Sequence, residues 1–151
     1  RRESGSLARV ASRRKARVLA VQALYAWDLN PRRLEDLLRF EWLRDNEGAQ
    51  AFVDAADHAR LLIGGVLENV EQIDELLQDH MAHWKMDRVN KVDLAILRLG
   101  VYELRYTSDV PREVVLDESV GIARDLSGDD SFRFVNGILD SISEHAGGSS
   151  R

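Results

Sequence analysis

Phe134-Val135-Asn136-Gly137-Ile138-Leu139-Asp140 is the stretch whose reading decides the fold. Asn-Gly is a strong hairpin signal when alternating apolar residues flank it. Here the flanks do not alternate. Val135, Ile138, Leu139 and Ile142 recur three and four residues apart, straight through the dipeptide. Asn136-Gly137 therefore lies inside a helix, and the strongest apparent turn signal reads as α-structure.

Working outward, every other periodic segment has the same spacing, and β-branched alternation is nearly absent. Pro111 suits the first turn of the preceding helix, which ends at Ser127-Gly128 with glycine as a C-cap. Val92, Ala95, Ile96, Leu99 and Tyr102 place a helix from about Lys91 to Tyr106, apolar on more than one side. Val70, Ile73, Leu76 and Leu77 give another, reaching about His80. Phe52, Ala55, Ala56, Ala59, Leu62, Ile63 and Val66 give one before it. Leu34, Leu37, Leu38 and Trp42 make a short helix, followed by a polar loop at 45–48. Ser12 is a fair N-cap for the first helix, which runs to about Leu29 and is stopped by Asn30-Pro31. Seven helices with short connections and no internal repeat predict an all-α, compact helical bundle.

Charge is distributed unevenly. The chain carries net charge -5, yet its first 17 residues hold Arg1, Arg2, Arg9, Arg13, Arg14, Lys15 and Arg17 against Glu3 alone. That segment is +6, which leaves -11 for the rest. An acidic body with a concentrated basic arm is suited to meet a polyanion at one place. Arg13, Arg14 and Arg17 fan over one side of the helix start, and guanidinium groups grip phosphates and stack on unpaired bases. Cations at a helix N-terminus oppose the macrodipole, so stability alone does not explain them.

Composition narrows the rest. At 151 residues, 44% hydrophobic and 31% charged, the chain reads as one soluble globular domain. With no cysteine it has no disulfide, thiolate zinc site or cysteine nucleophile, in keeping with a cytoplasmic protein. No apolar run is long enough for a membrane span, and Gln22 and Asp28 spoil a signal-peptide reading. His80 and His83 stand three apart without the further ligands a metal needs. His58 and His145 are isolated. Gly64-Gly65 lacks the lysine of a phosphate loop and suits a close helix crossing. No catalytic motif is present, so neither an enzyme nor a cofactor is expected. Asp129-Asp130-Ser131 resemble paired carboxylates but are better read as capping the last helix. Phe132 and Phe134 cannot share one helix face, so one of them points away from the core beside Arg133. Glu103 interrupts an apolar helix, and Asp93, Arg98 and Tyr102 lie on related turns. Those polar groups either cap the core edge or face a partner.

Three segments together resemble one family. They are Arg13-Arg14-Lys15-Ala16-Arg17 leading into Ala20-Val21-Gln22-Ala23-Leu24-Tyr25, then Ile96-Leu97-Arg98-Leu99-Gly100-Val101-Tyr102-Glu103-Leu104, then Phe134 to Asp140. In that order and spacing they are similar to the NusB family of bacterial transcription antitermination proteins, over about Ser12 to Glu144. The resemblance implies a seven-helix fold of two small helical bundles. It implies binding of boxA RNA in ribosomal RNA leaders together with NusE, and loading onto RNA polymerase to promote processivity. Carried over by residue, it puts RNA contacts on Arg9, Arg13, Arg14, Lys15, Arg17 and Tyr25, and on Asp130, Ser131, Arg133 and Phe134 at the last helix. It puts the NusE-facing surface on the helix bearing Asp93, Arg98, Tyr102 and Glu103. Lys15 replaces an arginine of the family pattern, and Leu116-Asp117-Glu118-Ser119 is a looser version of its Asn-Glu-Ala stretch. Residues 1–11 are expected to form a mobile basic arm, 12–145 the helical RNA-binding domain and 146–151 a disordered tail. A homodimer is left open. The alternative is a helical RNA-binding or adaptor domain of an rRNA-modification system. Its closest form, the N-terminal domain of an rRNA cytosine methyltransferase, requires a further α/β domain for which this length leaves no room.

Overall fold

The structure is a computed structural model that describes residues 2–31, 34–39, 49–81, 85–128 and 130–149. Among the described residues it contains seven α-helices, one 3-10 turn at Met86–Arg88 and no strand. The helices are α1 (Arg2–Leu29), α2 (Leu34–Leu38), α3 (Ala49–Glu68), α4 (Val70–Asp79), α5 (Lys91–Arg105), α6 (Arg112–Leu126) and α7 (Ser131–Ser149). Trp42, the loop at 45–48, His83 and Asp129 lie outside the described residues. The helices group into two compact units, Arg1–Gly64 and Gly65–Arg151, and the division falls inside α3.

In the first unit, α1 buries Ala16, Leu19, Ala20, Ala23 and Leu24, a stripe at helical spacing. On α3, Ala55, Ala56, Ala59, Leu62 and Ile63 are buried, and α2 contributes Leu37. Arg60 of α3 donates from Nε to the carbonyl of Leu38, 2.7 Å away, which ties α2 to α3. A carbonyl near the end of so short a helix lacks an intrahelical donor, and the guanidinium supplies one.

The second unit is built around α5, whose residues from Asp93 to Val101 are all buried. Asn90 caps this helix, its side-chain oxygen accepting from the backbone N–H groups of Val92 (2.8 Å) and Asp93 (3.3 Å). α5 packs against α4, α6 and α7. It can approach α7 closely because Gly100 has no side chain: a Cβ there would press on Leu139 at 2.7 Å. Gly65 likewise lies against the ring of Tyr102, which a Cβ would strike, whereas Gly64 faces open space. Val135, Leu139 and Ile142 of α7 are buried, and Ile138 is half-buried. Polar ties run between helices: Arg112 Nε donates to Ser143 Oγ at 2.6 Å and its guanidinium reaches Asp140, while His80 Nδ1 lies 2.8 Å from Ser141 Oγ.

Two helix boundaries differ from the sequence expectation. α1 begins at Arg2, not Ser12, so the basic arm is helical and Ser12 sits in mid-helix. A serine caps a helix only if the residues before it leave the helical conformation, and Leu7 to Ala11 contains neither glycine nor proline to force that. α7 likewise continues through Gly147 and Gly148 to Ser149.

Candidate nucleic-acid interface

The basic arm is a helical surface of the first unit. Arg9, Arg13 and Arg14 are exposed and Lys15 is half-buried. Arg9 and Arg13, four apart, share a face. Arg17 departs from the expectation. It is only 5% exposed and belongs to the segment where α1 enters the interior, flanked by buried Ala16 and Leu19. The helix dipole does not bear on this cluster, contrary to the expectation from sequence. Arg13 and Arg14 lie three turns into α1, and the dipole acts only over the first turn. Their clustering and exposure remain as the reasons to read them as a phosphate-binding surface.

Arg9, Ser12 and Arg13 line a shallow cleft of about 500 Å³ with Asp54, Asp57, His58 and Leu61 of α3. Sequence reasoning missed these α3 residues, since nothing local marks them as neighbours of the arm. Asp57 pairs with Arg60 at 2.8 Å. Carboxylates beside guanidiniums lower the local positive potential and accept from base amino groups, so the cleft is not a uniform phosphate trap. Tyr25, further along α1, is exposed.

The second unit holds the other predicted RNA-facing element, at the start of α7. Asp130 and Arg133 are strongly exposed, their charged ends 3.9 Å apart, a surface pair of little energetic weight. Phe134 is half-buried, as its position at the edge of the apolar stripe predicts, and so is Phe132. The Phe132 ring is taken up by cations: the guanidinium of Arg124 lies 4.4 Å from its centroid and that of Arg133 5.4 Å. Ser131 belongs to a relay. Ser127 Oγ donates to Asp93 Oδ1 at 2.6 Å and lies 2.9 Å from Ser131 Oγ. A hydroxyl has one proton, so Ser131 donates to Ser127 while Ser127 donates to the carboxylate. The structure thereby joins Ser131 to Asp93, residues that the family resemblance assigned to different surfaces.

The polar stripe on α5 is not an exposed stripe. Asp93, Arg98 and Glu103 are 5, 6 and 3% exposed. Arg98 spends its guanidinium on Asp74 of α4, Nε to Oδ1 and Nη2 to Oδ2, each 2.9 Å. Tyr102 is half-buried against Gly65 and stacks on exposed Tyr106, their centroids 5.9 Å apart. As side chains that touch a partner, Asp93, Arg98 and Glu103 are corrected: helical spacing aligned them, and the packing of α5 among three helices buried them. Among the described residues no group of three or more His, Asp or Glu is placed to hold a metal ion.

A model of the NusB family matches residues 14–144. The chain belongs to the NusB family. Transcription antitermination protein NusB of Treponema pallidum subsp. pallidum is 48% identical over 134 residues, 89% of this chain and 94% of that protein. The solved structure of T. maritima NusB superposes with a TM-score of 0.73 at 36% identity, covering 87% of this chain and 90% of that one. A structure of antitermination factors NusB and NusE in complex with double-stranded RNA matches with a TM-score of 0.72 at 26% identity, over 89% of this chain and 98% of that one. The family-model match covers α1 from Arg14 onward, all of α5 and α7 as far as Glu144, and Arg9 and Arg13 lie just before it.

Proposed function

We propose that this chain acts as a transcription antitermination factor by binding single-stranded boxA-type RNA of ribosomal RNA leaders together with NusE. It works by binding and not by catalysis. The observation that carries the reading is the exposed cluster Arg9, Arg13 and Arg14, with half-buried Lys15 beside it, on an otherwise acidic protein. A complex of NusB and NusE with double-stranded RNA among its structural relatives supports RNA binding together with NusE. Arg133 and Phe134, with Asp130 and Ser131, are proposed as a second RNA-contacting element and Tyr25 as a base-stacking group. On the NusE side, Tyr102 is proposed to touch the partner, while Asp93, Arg98 and Glu103 act indirectly by holding α5 in place. Cytoplasmic RNA polymerase is the proposed destination of the complex. No described helix is long and apolar enough to cross a membrane. A homodimer is the one self-association the proposal admits, since Leu7, Val10 and Leu61 stand exposed on α1 and α3.

RNA binding is expected to be modest alone and tighter with NusE, because the rest of the protein repels phosphate. Four arm cations at about -0.7 each give a log-log salt slope near -3 for single-stranded RNA. Replacing Arg13 and Arg14 together by alanine should weaken binding to every RNA sequence and flatten that slope by about 1.4. Thermal unfolding should barely move, since both residues are exposed. A salt-independent affinity, or a double variant that binds as well as the parent, refutes the arm as the contact surface.

A further inference from the structure

Arg124 has no part in the site as read so far, and its position is set by another helix. It lies in the last turn of α6, is exposed, and holds its guanidinium 4.4 Å from the centroid of Phe132 on α7. Arg133 brings a second guanidinium to the same ring at 5.4 Å. The helix dipole favours a cation at the end of α6, but it does not require the side chain to lie on a ring of the next helix. A guanidinium seated on an aromatic ring is fixed in orientation, with its N–H donors pointing outward in its own plane. Two guanidiniums at 4.4 and 5.4 Å from one ring centroid concentrate positive charge there, Arg133 also standing 3.9 Å from Asp130 Oδ1, and a side chain already held loses less freedom when a phosphate arrives.

We propose that Arg124 is a further RNA-binding residue, gripping a backbone phosphate beside Arg133, and that Phe132 is the positioning residue that holds both guanidiniums. Phe132 is then occupied by cations. This inference rests on the RNA-binding reading above and adds a contact to it.

The test uses the full chain and a labelled boxA-type single-stranded RNA, titrated with and without NusE at several salt concentrations. Arg124→Gln should weaken RNA binding about three- to tenfold and reduce the salt slope by about 0.7, with the unfolding midpoint unchanged. Phe132→Leu should weaken binding per folded molecule with the slope intact, since both charges remain. Arg13→Ala with Arg14→Ala serves as the control. If the arm variant loses RNA affinity and Arg124→Gln does not, this inference is overturned and the RNA-binding reading stands. If neither loses affinity, both fall. Should Arg124→Gln impair NusE binding alone, the residue belongs to a protein interface and the inference is likewise overturned. Unchanged affinity in Phe132→Leu removes the positioning role of the ring.

Discussion

Removing Asp74 should destabilise the protein far more than an exposed acid on a short helix would suggest. Its carboxylate takes two hydrogen bonds from Arg98, whose side chain is 7% exposed, while its own is 30% exposed. Breaking a fully buried pair by deleting one partner costs about 3–5 kcal/mol, because a charge is left in a poorly solvated site. Water reaches the Asp74 end, so the expected cost of Asp74→Ala is about 2–4 kcal/mol. At this chain length each kcal/mol lowers the midpoint by about 2–4 °C, giving a fall of roughly 4–16 °C. Replacing both partners, as Asp74→Leu with Arg98→Met, should recover much of that loss, since an apolar pair leaves no stranded charge. The assay is thermal and urea unfolding followed by circular dichroism, with NusE binding measured on the same proteins per folded molecule. A cost below about 1 kcal/mol for Asp74→Ala would place the pair among ordinary surface ion pairs and refute the burial argument. So would an Arg98→Met protein that keeps its stability but no longer binds NusE, because Arg98 would then be a contact and not a support.

Two further outcomes follow from burial. Arg17→Ala should cost about 1–3 kcal/mol of stability, since it removes a buried, partnered cation, whereas exposed Arg13→Ala should stay within about 0.5 kcal/mol; equal and small effects in urea unfolding would return Arg17 to the RNA-binding surface. Phe134→Ala should lose about 1–3 kcal/mol of RNA affinity through base stacking and less stability than the roughly 3–5 kcal/mol of a fully buried phenylalanine. A large stability loss with unchanged RNA affinity per folded molecule would assign Phe134 to the core.

The sequence by itself determined the helices and the family. α5 falls on Lys91–Arg105 as the apolar spacing requires, Pro111 stands just before α6, and Asn136-Gly137 lies within α7. Helical spacing is a relation between residues three and four apart, so the chain carries it locally. The basic cluster at residues 9–17 is equally local, and so are the three segments that mark the NusB family. Burial is a different kind of property. It depends on which distant helix covers a face, and that separated exposed Arg13 from buried Arg17 and turned Asp93, Arg98 and Glu103 inward. Only the tertiary structure could put Asp74 under Arg98, Asp54 and Asp57 in the cleft with Arg9, Ser127 between Asp93 and Ser131, or Arg124 on Phe132. Each of those neighbours arrives on a different helix or from the loop beyond one. Local spacing fixes the face a residue occupies on its own helix, and only the packing of the helices decides what stands opposite that face.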